Sequence, residues 1–286
     1  VRQVAVAVNK MDLVGYDRAR FEQVRDEIGA FLVRGGVPPR WTVPVAAREG
    51  GNVVARSGAM GWWDGPTVVE ALDGFEARAA RADAPLRFPL QAVYKFDQRR
   101  IYAGRVESGT LRRGDRIRFF PSGKEATVRS IERWNAPAPE AASAGESVGI
   151  TLEEPLFVER GEVAAHGDRP PRVGERLRAN LFWMGRKPLR TGAPYRLKLA
   201  TQETEAEVLS VGRVLDVASL ELAEGTRPEI GTYEIAEVTL RTRRAIAFDP
   251  AERVLETGRF VLVDGHEVVG GGIVLAAVDF PGGGHC

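Results

Sequence analysis

Asn9, Lys10, Met11 and Asp12 stand directly after the apolar run Val4-Ala5-Val6-Ala7-Val8. An amide, an ammonium and a carboxylate in four residues, at the exit of a buried strand, suit the reading of a purine edge. Guanine presents N1–H and its 2-amino group side by side as donors. An ionised carboxylate accepts both bonds at once, and adenine cannot offer that pair; Asp12 is the expected acceptor. Leaving such a carboxylate unpaired is costly, so the wrong base is rejected. Asn9 is expected to bond the N7 edge and to tie neighbouring loops together. The aliphatic stem of Lys10 can lie over the ring while its ammonium stays polar. Met11 fills the remaining position.

Four residues alone read equally well as a solvated turn in which Asp12 caps the next segment, because a bare Asn-Lys-x-Asp occurs by chance. Three features favour the base reader. The tetrad ends a strand, a helix follows it, and the next strand ends in Val45-Ala46-Ala47. GTPases place their second guanine loop there, with a backbone N–H on guanine O6; the N–H of Ala47 is the expected donor. Ala46 stands where serine is usual and lacks its supporting hydroxyl. No G-x-x-x-x-G-K-[ST] loop occurs in the chain, so there is no backbone nest for phosphates and no hydroxyl ligand for Mg2+. The expected cofactor is therefore GTP, with Mg2+ expected only in a longer protein. The chain itself is expected to be a fragment that does not hydrolyse GTP. Asp12-Leu13-Val14-Gly15 and Asp279-Phe280-Pro281-Gly282 match D-x-x-G, but the first is taken by the base contact and the second lies in the tail.

These loops need strands and helices to hold them. Val4 to Val8 reads as a buried parallel strand. Asp17 can cap a helix whose positions Phe21, Val24, Ile28, Phe31 and Leu32 follow helical spacing, and Gly35-Gly36 ends it. Thr42 to Val45 is the next strand, with Pro44 suited to its edge or end. Pro66 is placed as the first residue of a second helix carrying Val69, Leu72 and Phe75. Trp62 and Trp63 before it are assigned to packing. Beyond the Ala/Arg-rich stretch to Pro85 the pattern changes to short strands separated by turns, in two series broken at Arg169-Pro170-Pro171.

The expected fold class is α/β plus β: the C-terminal half of a P-loop GTPase domain, then two antiparallel β-barrels. Expected boundaries are 1–82 for the partial GTPase domain, 83–168 and 169–279 for the barrels, and 280–286 for a tail. The 286 residues allow roughly two to three domains. With 40 basic and 39 acidic residues, no overall field favours nucleic acid or an anionic membrane. The single cysteine, Cys286, excludes an intrachain disulfide. His166, His266 and His285 have no metal spacing and read as surface residues. The Lys95, Arg99, Arg100 and Arg105 cluster reads as a solvated hairpin.

Gly65-Pro66-Thr67-Val68-Val69-Glu70-Ala71-Leu72, just after Trp63, resembles the G-P-T-L-x-E-A-L part of a segment of translational GTPases. A finer likeness is to the GTPase subunits of bacterial sulfate adenylyltransferases, the CysN and NodQ type. Arg87 to Val93 with Tyr102 to Gly109 resembles their first-barrel signature, and Phe120-Pro121-Ser122-Gly123-Lys124 their P-S-G turn. Phe182-Trp183-Met184-Gly185-Arg186-Lys187-Pro188-Leu189 is similar to their second-barrel opening, and Thr257 to Asp264 with Gly270 to Val274 to their closing strands. The resemblance implies a cytoplasmic subunit that binds and hydrolyses GTP. Its partner would be an ATP-sulfurylase catalytic subunit forming adenosine 5′-phosphosulfate from ATP and sulfate, with no membrane and no nucleic acid involved. The expected site is Asn9, Lys10, Asp12, Ala46 and Ala47, without catalytic or metal residues. Two other readings stay open: an elongation-factor-like GTPase binding aminoacyl-tRNA, and a double-barrel interaction module without nucleotide.

Overall fold

The computed structural model describes residues 3–34, 37–76, 84–96, 99–216, 222–223 and 229–278. Contacts divide the chain into two compact units, 1–79 and 80–286. The Gly35-Gly36 helix stop, the 77–83 linker and the 280–286 tail lie outside the described residues.

In the first unit β1 (Ala5–Val8) and β2 (Trp41–Pro44) pair in parallel, with Ala5 opposite Trp41 and Val8 opposite Pro44. Between them runs α1 (Arg18–Arg34), whose apolar face buries Phe21. Asp17 caps it as expected: its Oδ1 accepts the N–H groups of Ala19 at 2.7 Å and Arg20 at 3.4 Å. The second helix, α2 (Val68–Asp73), begins later than Pro66. Thr67 is its N-cap in a reciprocal capping box, with Glu70 N–H on Thr67 Oγ1 at 3.2 Å and Thr67 N–H on Glu70 Oε2 at 2.8 Å. Val69 and Leu72 are exposed, and Ala71 is the buried residue of this short helix. Phe75, just beyond it, packs against Trp41 with ring centres 5.5 Å apart.

The second unit contains two closed antiparallel barrels. In the first, β3 (Phe88–Phe96), β4 (Arg99–Arg105), β5 (Arg116–Phe120), β6 (Glu125–Glu132), β7 (Ser147–Leu152) and β8 (Val163–His166) close in the order β8-β3-β4-β7-β6-β5. Alternate residues such as Ile117 and Phe119, and Ala126, Val128 and Ile131 past a register shift, fill its interior. The second barrel uses β9 (Arg172–Trp183), β10 (Pro194–Leu199), β11 (Gln202–Asp216), β12 (Glu234–Phe248), β13 (Arg259–Asp264) and β14 (Glu267–Ala277). Its ring runs β10-β13-β14-β9-β12-β11 and closes through the β10–β11 hairpin. Gly270 to Gly272 lie within β14. A Cβ on Gly272 would stand 2.5 Å from the Phe260 ring and 2.7 Å from the Asn180 carbonyl, so the backbone approach requires glycine.

One buried ion pair joins the barrels. Arg87 and Asp249 are both fully buried and form a two-pronged bridge, with Nε on Oδ2 and Nη2 on Oδ1, each at 2.7 Å. Arg87 Nη1 also donates to the carbonyls of Leu86 at 2.7 Å and Arg169 at 2.9 Å, while Thr257 Oγ1 donates to Asp249 Oδ2 at 2.7 Å. Beside it Phe120, Val163 and Ala165 of the first barrel pack against Ala247 of the second. No described helix is long and apolar enough to cross a membrane.

A buried pair with its other bonds satisfied is strongly destabilised by removal of one partner and much less by removal of both. Arg87→Met should lower the unfolding free energy of the second unit by about 3–5 kcal/mol in urea denaturation. Arg87→Met with Asp249→Leu should recover most of that loss.

Candidate functional site

The parallel register places the loops that follow β1 and β2 side by side at the carboxyl ends of the strands, where open α/β sheets bind their ligands. The pairing continues past the strands. Val45 N–H donates to the Val8 carbonyl at 2.8 Å, and Met11 N–H donates to the Val45 carbonyl at 3.1 Å. The first loop then winds into a short 3-10 turn, Met11–Val14. Met11 does more than occupy its position. It is buried with Phe21, Ala46 and Met60, and so pins the tetrad to the core.

The structure brings Asn9, Lys10, Asp12, Ala46 and Ala47 together. Lys10 is in the left-handed region, at φ 68° and ψ 33°, and its N–H donates to Asn9 Oδ1 at 2.7 Å. Asn9 Oδ1 also accepts the N–H of Ala47 at 3.1 Å, which is the tie between loops expected of Asn9. The Ala47 N–H, expected to bond a guanine O6, is thus engaged by Asn9 here. Asn9 Nδ2 and the half-buried carboxylate of Asp12 have no hydrogen-bond partner among the described residues.

Ala46 is buried in an apolar cluster, and its loop is supported from other directions. Ala46 and Gly51 exchange two backbone bonds of 3.1 and 3.0 Å. Asn52 is buried in the left-handed region at φ 59°. Its Nδ2 donates to the Pro44 carbonyl at 3.0 Å, and its Oδ1 accepts Ser57 N–H at 2.8 Å. Its own carbonyl accepts Val68 N–H at 3.0 Å, which links the loop to the start of α2.

Tyr16 completes the arrangement. Its hydroxyl donates to Oε2 of Glu49, the last residue of the 3-10 turn Ala47–Glu49. That hydrogen bond raises the Tyr16 phenol above its ordinary range, with partial burial and the charges of Glu49 and Asp12 adding to the effect. Trp62 and Trp63 pack on Phe21 with ring centres 5.5 Å away, and Trp62 Nε1 donates to the Tyr16 carbonyl at 3.0 Å. The expected packing role of the tryptophans holds. Tyr16 and Glu49 had no such signal, since they are 33 residues apart, and the burial of Asn52 arises only in the folded loop.

In this chain a strand-end loop carrying Asn-Lys-x-Asp is followed in sequence by two closed antiparallel barrels. Residues 99–165 match the family model for elongation factor Tu domain 2, and residues 176–275 match the GTP-eEF1A C-terminal domain-like model. The crystal structure of Sup35 complexed with GMPPNP superposes with a TM-score of 0.66 at 22% identity, covering 98% of this chain and 70% of that one.

Among curated proteins the chain is homologous to sulfate adenylyltransferase subunit 1. It is 35% identical to that of Shewanella oneidensis over 268 residues, or 92% of this chain and 55% of the relative. It is 32% identical over 270 residues to the bifunctional enzyme CysN/CysC of Mycobacterium tuberculosis, covering 92% of this chain and 44% of the relative. The chain therefore spans about half the length of these relatives.

Asn52→Ala removes two side-chain bonds from a buried group and leaves a Cβ in a left-handed backbone without local support. It should destabilise the first unit by about 2–4 kcal/mol in chemical denaturation. Asn52→Gly loses the bonds but suits the backbone, and should be the milder variant by about 1 kcal/mol.

Proposed function

We propose that this chain is part of the GTP-binding subunit of a sulfate adenylyltransferase. In this reading the complete subunit couples GTP hydrolysis to formation of adenosine 5′-phosphosulfate from ATP and sulfate. Its partner is the ATP-sulfurylase catalytic subunit, and the setting is the cytoplasm. The observation that carries the reading is the pair of cross-tied loops with Asp12 in the first of them, in a chain homologous to subunit 1 over 92% of its length. Asp12 accepts guanine N1–H and the 2-amino group. Asn9 Nδ2 reaches the N7 edge, and the stem of Lys10 covers the ring. A guanine O6 would share the Ala47 N–H with Asn9 Oδ1, so base binding and loop position are coupled.

These residues suit the base of GTP. The nucleotide supplies the phosphate anhydride whose cleavage would drive the partner, and Mg2+ would be held with the phosphates by other parts of the complete subunit. The domain organisation that goes with this reading is a partial GTPase domain to residue 82, barrels over 83–168 and 169–279, and a tail over 280–286.

A second reading, delivery of aminoacyl-tRNA, is favoured by the two elongation-factor domain matches. Filter binding separates them: tight, salt-sensitive retention of aminoacyl-tRNA supports the factor, and co-purification with a sulfurylase catalytic subunit supports the proposal.

In the complete protein, Asp12→Asn should weaken GTP by about 10–100-fold, since charge-assisted bonds are lost. It should improve XTP, because the amide can donate to the 2-oxo group that replaces the amine. Unchanged affinities for both nucleotides would remove Asp12 as the base reader.

A further inference from the structure

The two recognition loops are tied at three places, and only two of the ties belong to the tetrad. Met11 N–H holds the Val45 carbonyl at 3.1 Å, and Asn9 Oδ1 holds the Ala47 N–H at 3.1 Å. The third is the hydroxyl of Tyr16 on the carboxylate of Glu49. Val45, Ala47 and Glu49 alternate along the second loop, so it is held at its start, its middle and its end.

Tyr16 is itself fixed from three directions. Its N–H donates to the Met11 carbonyl at 2.8 Å, its carbonyl accepts Trp62 Nε1–H at 3.0 Å, and its ring packs on the cluster of Met11, Phe21, Ala46 and Met60. The backbone there is left-handed, at φ 60°, which is unfavourable for so bulky a side chain. Such strain persists only where the surroundings over-determine it, as these contacts do. On the other side, Gly50 at φ 74° turns the chain just after Glu49, and Gly51 returns to pair with Ala46. A loop closed in this way keeps its last residue within reach of Tyr16.

We infer that Tyr16 and Glu49 form a clasp that sets the separation of the two base-recognition loops, which makes Tyr16 a positioning residue for the guanine site. The inference rests on the reading of Asp12 as the base reader. The clasp supplies the rigidity that a serine hydroxyl at position 46 would otherwise give. A pre-organised loop loses less freedom when the base binds. Loosening it should act mainly on the rate of release, as most changes within one interface do.

The test uses the complete protein and a fluorescent GDP analogue, with dissociation rates and thermal melting followed for each variant. Tyr16→Phe keeps the ring and should fold; it should release GDP about three- to tenfold faster, the effect of one charge-assisted bond reduced by solvent screening. Glu49→Ala should do the same, and the double variant should be no faster than either single one. Glu49→Gln, whose Oε1 still accepts the hydroxyl, should stay near the parent. If Asp12→Asn shifts preference to XDP while Tyr16→Phe and Glu49→Ala leave the release rate unchanged, or act additively, the clasp is wrong and the base reading survives. A lower melting temperature with an unchanged release rate overturns it equally. If Asp12→Asn shifts no preference, the base reading fails and the clasp's role fails with it.

Discussion

The parallel register of β1 with β2 is the constraint on which the candidate site depends. Val8 opposite Pro44 puts Asn9 and Val45 at the same level, one residue beyond the strands. The backbone bonds Val45 to Val8 and Met11 to Val45 then carry the ladder into the loops. A slip of one residue would turn every side chain to the other face of the strand. Met11 would leave the core and Asp12 would take its place. The tetrad therefore folds as a unit around a buried apolar residue: Met11 is held inward while Asn9 and Lys10 stay exposed.

The second unit obeys a different constraint. Two barrels, each with its own core, could be joined by a flexible link. Here the guanidinium of Arg87, immediately before β3, is bonded to a carboxylate immediately after β12 and to the carbonyl of Arg169 in the connection. Two charges removed from water are tolerated because Arg87 has two further carbonyl bonds and Asp249 has the Thr257 hydroxyl. The bridge is two-pronged, so it fixes orientation as well as distance. The apolar contact of Phe120, Val163 and Ala165 with Ala247 supplies the surrounding dry contact.

Much of the local structure was legible because its causes are local. The apolar run marked β1, and Asp17 marked the start of α1. The start of α2 was misread. Thr67-Val68-Val69-Glu70 carried a capping-box pattern, but Pro66 also fitted the first helical turn, and the reciprocal bonds of Thr67 and Glu70 prevailed. The role of Asn9 in tying the loops could be read. That the group it holds is the Ala47 N–H could not, since the motif assigns that N–H to a guanine O6. Arg87 and Asp249 are 162 apart and look like surface charges until both barrels are in place. Asn52 looked like an ordinary loop residue; its burial and its left-handed backbone arise only from the packing around it.

Ala46 shows how a departure from a familiar pattern can be absorbed. A serine there would lend a hydroxyl, and its loss suggests a weaker loop when the motif is viewed alone. In the folded chain the Cβ of Ala46 fills part of a cluster with Met11, Phe21 and Met60, and no polar group has to be satisfied there. Support comes instead from the two bonds with Gly51, from Asn52 beneath the strand end, and from Tyr16 at the far end of the loop. Each of these bonds lies outside the four-residue motif. Motif matching therefore understates how firmly the loops are held, because the bonds that hold them are made by residues the motif does not contain. With alanine at position 46, the second loop is held by Gly51, Asn52, Tyr16 and Glu49.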